Sequence, residues 1–393
     1  MFTDSQRAII KATVPLLESG GEALTTHFYT MMLDQYPEVR PLFNPANQAS
    51  GAQPRALANA VLMYARHIDR LEALGPLVGQ IVNKHVALQI LPEHYPIVGT
   101  CLLSAMREVL GADIATDEVI AAWGEAYGQL AGILIGAEEA AYQQNEIAPG
   151  GWRGARVFKV VRKQQESAQI TSFYFEPEDG GAVVDYAPGQ YLGLKLNLDG
   201  QQVRRNYSLS AQANGHSYRI SVKREGQGAV STYLHDRVQV GDRVELFPPA
   251  GDFTLQASPR PLVLISAGVG ITPTLAMLEA ALPTGRPITF IHSTRDGSAH
   301  AFRPWLESLQ RDYPQLACHF CYSQPASGDR FDAEGRLNQQ MLGHWLPQNR
   351  DVDAYFLGPV GFMASVKRDL KALGVPEAQS HYEFFGPAGQ LPA

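Results

Sequence analysis

Cysteine is scarce in this chain of 393 residues, which contains only three, Cys101, Cys318 and Cys321. Three thiols are too few for a disulfide framework in a chain of this length. Cys318 and Cys321 have the CxxC spacing, but a structural zinc site needs two more ligands at a matching turn, and the sequence offers none. The surrounding residues ACHFCYS are typical of a buried strand, so we interpret these two thiols as core residues.

The chain also has no excess of positive charge. It contains 32 Lys and Arg and 39 Asp and Glu, which give a formal net charge of −7. Nucleic acids and anionic membranes need a basic surface, so both are disfavoured as partners. No uninterrupted apolar run reaches about 18 residues, and the first residues lack the basic and apolar segments of a signal peptide. We therefore expect no membrane span, a cytoplasmic location and small-molecule partners.

The residues that are present describe a folded protein of two or three domains, with 45% hydrophobic and 18% charged residues. The first part of the chain has helical periodicity and no strand signal. Thr3 and Gln6 have the spacing of a capping box before the first apolar run, and Gly20-Gly21 is expected to end that helix. We predict an all-α domain over residues 1–147.

Two further changes of pattern predict two further domains. Pro149 and the glycines after it break the helical pattern, and short strands rich in Val, Tyr and Phe follow, as in an antiparallel β-barrel. Near Pro259 the pattern becomes four buried strands, each followed by a helical stretch, which indicates an α/β domain with a parallel sheet. We place the barrel at residues 148–257 and the α/β domain at 258–393.

The first buried strand of the α/β domain runs into a glycine-rich turn that suits a dinucleotide. Glycines let the backbone approach a pyrophosphate, and the following helix attracts phosphates through its free amide groups and its dipole. We expect Thr272 to cap that helix and Pro273 to lie in its first turn. The candidate NAD(P)-binding residues here are Gly268, Val269, Gly270, Ile271, Thr272 and Pro273.

The barrel contains the run RNYS, in which a guanidinium can clamp a phosphate and a phenol can stack on a flat ring. Together with GVGITP, GPVGFM and the C-terminal HYEFFGP, this run resembles the ferredoxin-NADP reductase family. The resemblance implies FAD in the barrel, with Tyr191 and Ser231 as further contacts, and a nicotinamide nucleotide on the α/β domain. By it, the FAD residues are Tyr191, Arg205, Asn206, Tyr207, Ser208, Ser231, Glu383 and Phe385, and nicotinamide meets flavin at Phe384, Phe385, Gly386 and Pro387.

His85 lies in the middle of an apolar helical pattern, where a lone histidine is most often a core residue. A reductase that transfers single electrons needs a one-electron acceptor, however. The helical domain carries further residues that resemble those of a globin, namely Tyr29, Phe43, Gln53, Leu57, Tyr95 and Glu138. The whole chain thus resembles a flavohaemoglobin. That resemblance implies haem b held at His85, beside Phe43, Leu57 and Lys84, with Tyr95 and Glu138 behind the histidine and Tyr29 and Gln53 on the oxygen side.

The resemblance implies a nitric oxide dioxygenase in which NAD(P)H reduces FAD, FAD reduces haem, and oxygen on ferrous haem converts NO to nitrate. An oxygen carrier or sensor with a haem-reducing module, and a general diaphorase or peroxide reductase, remain alternatives. Ser293 and Arg295 follow the second parallel strand, where an arginine can accept the 2′-phosphate of NADPH. We expect a monomer that uses NADH or NADPH.

Overall fold

The computed structural model describes residues 3–386 and 391, and the chain divides into two compact units. The first unit contains the helices up to Ile147, together with Asp199–Arg205 and with Phe385 and Gly386. The second unit contains most of the remaining chain, including two six-stranded sheets. The predicted order of a helical domain, an antiparallel sheet and a parallel sheet is confirmed.

The first unit is built from α-helices, with short 3₁₀ turns between some of them. The predicted capping box is present, because Thr3 Oγ1 accepts from the Gln6 amide and the Gln6 side chain accepts from the Thr3 amide. The helices are α1 Asp4–Ala12, α2 Val14–Gln35, α3 Pro45–Ala49, α4 Ala52–Arg66, α5 Gly75–Leu88, α6 His94–Leu110 and α7 Asp117–Ile147.

The predicted helix end at Gly20-Gly21 is wrong, since α2 runs through both glycines. The break lies earlier, at Thr13, which precedes Pro15 and whose hydroxyl donates to the Ile10 carbonyl at 2.6 Å. Gly21 is buried, and a Cβ on it would lie 3.4 Å from Cβ of Ala58 on α4. Helix α2 packs extensively against α4 here, and this packing outweighs the low helix propensity of glycine.

Helix α7 is long and apolar enough, by length and composition alone, to cross a membrane. A core helix passes the same test, and α7 buries one face of regularly spaced residues. That face includes Trp123, Ala126 and Leu134, and the first two belong to the helical core formed with α2, α4 and α6. Length and composition are thus weak evidence for a membrane span.

The antiparallel sheet has the strand order β4-β3-β6-β1-β2-β5. A bridge between Leu209 and Ile220 brings the chain after β4 to β5, the strand at the other end of this order. Its elements are β1 Arg156–Gln165, β2 Ile170–Pro177, β3 Tyr191–Leu198, β4 Gln201–Ser208, β5 Tyr218–Lys223, α8 Ala229–Asp236 and β6 Arg243–Leu246.

The parallel sheet has the order β10-β9-β8-β7-β11-β12, so the strand order reverses at β7. In open parallel sheets a ligand binds at the carboxyl ends of the strands beside such a reversal, here between β7 and β11. The elements are β7 Leu262–Ala267, α9 Ile271–Ala281, β8 Ile288–Thr294, α10 Arg303–Asp312, β9 Leu316–Tyr322, β10 Ala333–Glu334, α11 Gln339–Trp345, β11 Asp353–Leu357, α12 Val360–Ala372 and β12 Ser380–Tyr382.

The CxxC pair lies within β9, and Cys318 and Cys321 are both buried free thiols. Residues three apart on a strand point to opposite faces of the sheet, so these two thiols cannot share a metal or form a disulfide. Within residues 3–386 and at 391, no group of three or more His, Cys, Asp or Glu side chains is arranged to hold a metal ion.

Candidate functional site

His85, Tyr95 and Glu138 form one hydrogen-bonded cluster in the helical unit. His85 Nδ1 lies 2.7 Å from Glu138 Oε1 and 3.3 Å from the Tyr95 hydroxyl, which donates to the same Glu138 oxygen at 2.6 Å. Burial, and then the bond to Glu138, raises the pKa of Tyr95, so its hydroxyl stays protonated and remains a donor. The cluster therefore places an anionic acceptor behind the imidazole.

The buried face of α7 explains how Glu138 reaches His85. Ala131, Leu134, Glu138 and Tyr142 recur at helical spacing, and Glu138 is 2% exposed. A carboxylate on such a face is costly unless it is hydrogen-bonded, and His85 and Tyr95 supply those bonds.

Two tyrosines of α7 hold the segment between α5 and α6 and the first turn of α6. They were not among the residues predicted from the sequence. The Tyr142 hydroxyl donates to the Ile90 carbonyl at 2.7 Å, and the Tyr127 hydroxyl donates to the Tyr95 carbonyl at 2.6 Å. The signal in the sequence is faint, because aromatic residues on a core-facing helix usually serve packing alone.

The residues around His85 fit a haem. Its side chain is 31% exposed although Nδ1 is fully engaged, so Nε2 is the nitrogen left for iron. The side chains packed beside Tyr95 and Leu134 are apolar and only partly buried, as the lining of a cradle for a flat apolar ring should be. They include Val78, Ile81, Val82, Ile90, Leu130 and Ile135.

Tyr29 and Gln53 come together between α2 and the first turn of α4. Tyr29 is buried, which raises the pKa of its phenol, and a hydrogen bond with the Gln53 side chain lowers that pKa by a smaller amount. The ring of Phe43 meets that of Tyr29 edge-on at 5.6 Å between centres. Phe43 and Leu57 are partly buried against the same core. The structure thus brings Tyr29 and Gln53, predicted for the oxygen side, into one region with Phe43 and Leu57, predicted to lie beside the haem.

Lys84 and the residues near the C-terminus that were predicted to contact cofactors differ in burial and in the side chains that they contact. Lys84 is half-buried, and its ammonium donates to the Gly386 carbonyl within the first unit. Phe385 is 52% exposed, whereas Phe384 packs edge-on against Tyr382 in the second unit. Pro387 lies outside the described residues.

Tyr191 begins β3 and presents a buried ring to the backbone of Gly251. A Cβ on Gly251 would lie 2.7 Å from Cε1 of Tyr191, so only glycine permits this approach. Burial, followed by the nearby Glu383 carboxylate, raises the pKa of Tyr191. The charge of Glu383 therefore acts on Tyr191, and both residues were predicted to contact FAD.

The run Arg205-Asn206-Tyr207-Ser208 occupies the end of β4. Its side chains are half-buried except for Asn206, which is exposed. Arg205 donates to the Arg204 carbonyl at 2.6 Å. Guanidinium, phenol and hydroxyl groups on consecutive residues of one strand suit a flavin with its phosphates.

Ser231 lies in the first turn of α8 and closes the loop that precedes it. Its hydroxyl accepts from the Glu225 amide at 3.1 Å and donates to the Gly228 carbonyl at 3.0 Å. A Cβ on Gly228 would lie 2.5 Å from this hydroxyl. The loop is thus held close to the amino end of a helix, where amide groups can face a phosphate.

The glycine-rich turn fits a nucleotide pyrophosphate. Gly268 has φ +54° with open space where a Cβ would be, while a Cβ on Gly270 would lie 2.4 Å from the Leu357 carbonyl oxygen. The turn therefore packs tightly onto the end of β11 and leaves its outer side open at the sheet reversal.

The capping role expected of Thr272 is wrong. The cap position is Gly270, without a side-chain bond, and the Thr272 hydroxyl instead donates to the Val269 carbonyl at 3.0 Å. Pro273 does lie in the first turn, where the missing amide is harmless. No side chain covers this helix end, and the Ile271 amide bonds back to the carbonyls of Gly268 and Val269.

Ser293 and Arg295 lie at the end of β8 and just beyond it, as predicted. Ser293 bonds to the Cys321 thiol, and Arg295 Nε donates to Asp296 Oδ2 at 2.8 Å. Asp296 also accepts from Ser298 and from the Ala299 amide, and these bonds, with that of Ser298 largest, lower its pKa to about 2. The sequence analysis missed Asp296, which holds Arg295 in place.

Three family models match the chain: Globin over residues 26–134, Oxidoreductase FAD-binding domain over 157–255 and Oxidoreductase NAD-binding domain over 264–368. The predicted haem, FAD and NAD(P) cofactors agree with these domains.

Similar proteins match along the whole chain. Proteins named Flavohemoprotein from Pseudomonas putida and Pseudomonas aeruginosa are 69% and 66% identical, each over 100% of both chains. A flavohemoglobin from Malassezia yamatoensis, solved with bound FAD and heme, has a TM-score of 0.84 and 28% identity, over 98% of this chain and 99% of that one.

A further structure covers the reductase part. The flavohem-like FAD/NAD binding domain of nitric oxide dioxygenase from Vibrio cholerae has a TM-score of 0.56 and 42% identity, over 60% of this chain and 100% of that one. Coverage of the whole chain at high identity, with the three domains in order, places this chain in the flavohaemoprotein family.

Proposed function

We propose that this protein is a nitric oxide dioxygenase. The overall reaction balances as two NO, two O₂ and one NAD(P)H giving two nitrate ions, NAD(P)⁺ and one proton. The observation that carries the proposal is the 2.7 Å contact between His85 Nδ1 and Glu138 Oε1. A carboxylate behind a proximal imidazole increases electron donation, which favours oxygen chemistry over reversible storage.

When bound, haem supplies the site for O₂ and one-electron chemistry, while FAD takes a hydride from the nucleotide and releases single electrons. On the oxygen side, the hydroxyl of Tyr29 stays protonated because burial raises its pKa. A hydrogen bond with the Gln53 side chain orients the phenol, and we assign the Tyr29 hydroxyl as the donor to the oxygen ligand. We assign Phe43 to wedging the haem, Leu57 to the wall of the ligand pocket, and Lys84, next to His85, to the rim of the haem.

The electron supply uses residues of the antiparallel and parallel sheets and of the turns that follow their strands. We assign the turn from Gly268 to Pro273 to the NAD(P) pyrophosphate, which its glycine backbone can approach closely, and Arg205 to Ser208, Tyr191 and Ser231 to FAD. Arg295, held by Asp296, is the group that we propose to contact the 2′-phosphate of NADPH. We also propose the domain limits 1–147, 148–257 and 258–393, a cytoplasmic location and a monomer.

The test begins with a visible spectrum of the purified protein, first oxidised and then after anaerobic addition of NADH. We expect haem and flavin bands, with NADH reducing both. NO added under air should then be consumed rapidly, with nitrate formed and one NADH used for every two NO.

The same experiment separates the alternatives. Reversible oxygen binding without nitrate formation would identify a carrier or sensor. Equal turnover of artificial acceptors by protein prepared without haem, with no NO consumption by the complete protein, would identify a general diaphorase.

A further inference from the structure

Arg219, on β5 of the antiparallel sheet, contacts two side chains of the parallel-sheet region. Its Nη2 lies 3.8 Å from Oε1 of Glu279 on α9, and its guanidinium carbon lies 5.3 Å from the ring centre of Phe302. The side chains of Arg219 and Glu279 are only 13% and 23% exposed. Water and salt therefore screen this pair less than they screen an exposed ion pair.

The guanidinium is also fixed on the side of the barrel. Its Nε donates to Ser210 Oγ at 3.1 Å, and Nη2 donates to the Ser210 carbonyl. The ring of Tyr174 on β2 lies 5.9 Å from the guanidinium carbon. A planar group that is bonded through two nitrogens and lies near two aromatic rings has little freedom to rotate.

Glu279 and Phe302, the partners of Arg219, are themselves held where the antiparallel-sheet region meets the parallel-sheet region. Glu279 Oε2 accepts from the amide of Gln212, which lies in the loop between β4 and β5, at 2.5 Å. Phe302 is buried at φ +64°, a conformation that bulky residues rarely adopt and that must be held by its surroundings. Close by, the Ala168 amide donates to the Ser298 carbonyl at 2.9 Å.

Glu279 belongs to the helix that begins at the nucleotide turn. Since α9 is a continuous helix over Ile271–Ala281, fixing Glu279 against the barrel also fixes Gly268–Gly270 relative to it. Strand β5 additionally packs against Gly268–Gly270. Reacting atoms in a hydride transfer must lie about 3–3.5 Å apart, so a small tilt of α9 is expected to slow the reaction strongly.

We propose that Arg219 is a positioning residue that holds α9 and α10 against the FAD barrel through Glu279 and Phe302, and so sets the distance between nicotinamide and flavin. This inference rests on the proposed function, because it concerns the step in which NAD(P)H reduces FAD. We assign Arg219 a role that it exerts through Glu279 and Phe302.

The test uses the full-length holoprotein and two variants, Glu279→Gln and Arg219→Lys. The glutamine keeps an oxygen for the Gln212 amide but removes the charge, and the lysine keeps the charge but loses the planar fork. We measure flavin reduction by NADH in anaerobic stopped flow, with NADH carrying either hydrogen or deuterium at the transferred position. Rates at several NADH concentrations separate the dissociation constant from the rate of hydride transfer.

We expect Glu279→Gln to slow hydride transfer by about tenfold and Arg219→Lys by a similar factor, because misplacement by fractions of an ångström is costly. The dissociation constant for NADH should stay within about twofold, since the nucleotide contacts are unchanged, and the isotope effect should stay or rise. A merely structural role would lower flavin content or melting temperature without this separation of rate from binding.

Arg243→Gln is the matched control, because Arg243 forms an exposed ion pair with Glu178, Nε to Oε1 2.7 Å, on the same barrel. It should reduce flavin at the rate of the unchanged protein. Flavin reduction within twofold of that rate in Glu279→Gln overturns the inference, even where Arg219→Lys fails to fold. If NADH does not reduce the flavin of the wild-type protein, that result contradicts the proposed function and this inference with it.

Discussion

Glu138 on α7 and His85 on α5 lie 53 residues apart in the sequence, and yet Oε1 of Glu138 lies 2.7 Å from Nδ1 of His85. The imidazole therefore has a fixed orientation, with Nε2 turned away from the carboxylate. Tyr95 shares the same carboxylate oxygen at 2.6 Å and keeps it in place.

Replacement of this carboxylate should reduce activity without unfolding the helical unit. We expect Glu138→Gln to lower NO consumption by about 10–100-fold, because partners that orient an iron ligand typically contribute that much. The measurement is NO-dependent NADH oxidation under air at matched haem content. Glu139→Gln, one residue further along α7, is the control and should retain full activity; equal activity of the two variants would contradict the role of Glu138.

Loss of the Tyr29 hydroxyl should accelerate the release of oxygen. A hydrogen bond to a partly charged ligand is worth about 1.5–3 kcal/mol, so we expect Tyr29→Phe to raise the O₂ dissociation rate by about 10–100-fold. Flash photolysis or rapid mixing of the ferrous protein measures that rate. Tyr64→Phe removes another buried hydroxyl, one that donates to the Ala126 carbonyl at 2.9 Å, and should leave the rate unchanged. Similar O₂ dissociation rates in the two variants would contradict the assignment of Tyr29 to the oxygen side.

Two buried histidines should make the α/β domain sensitive to acid. Burial lowers the pKa of His292 to about 3 and that of His300 to about 2, and their ring centres lie 4.8 Å apart. An unfolded histidine has a pKa of about 6.5, so below that pH the unfolded chain binds protons that the folded chain does not. The free energy of unfolding is therefore highest above about pH 6.5. It decreases as the pH decreases towards 3, by up to about 1.4 kcal/mol per pH unit for each histidine.

The free energy of unfolding, measured by chemical denaturation between pH 7 and pH 5, checks this prediction. We expect His300→Gln to flatten the dependence, since one of the two groups no longer titrates. His216→Gln, which changes an exposed histidine of the barrel, should leave the slope as it is. An unchanged slope in His300→Gln would show that this buried histidine does not control acid stability.

Substitution of Arg295 should change the choice between NADPH and NADH. We expect Arg295→Ala to lower kcat/KM for NADPH by about tenfold with little change for NADH, because a charged hydrogen bond to a phosphate is worth about 1.5–3 kcal/mol. The assay is steady-state flavin-dependent reduction of an artificial acceptor. Arg311→Ala, on α10, is the control. An unaltered ratio of the two specificity constants would contradict the role of Arg295.

The sequence predicted local features where the signal lies within a few residues. Thr3 and Gln6 form a capping box because both halves of that motif are in one helical turn. The glycine-rich turn after β7 was predicted for the same reason. Thr272 was misassigned, because its hydroxyl can bond either forward to an amide or back to a carbonyl, and the packing of Gly270 against Leu357 fixes the turn that decides between them.

The order of the three domains, the nucleotide turn and the histidine in an apolar helix were all determined by the sequence, since periodicity and turn chemistry are local properties. Tertiary structure alone decided that α2 continues through Gly21, because α2 packs against α4, a helix more than fifteen residues further along the chain. It also decided that Arg219 meets Glu279, and that His292 and His300 share one buried site. Such contacts depend on how helices and strands pack, and packing brings together residues whose separation along the chain carries no signal.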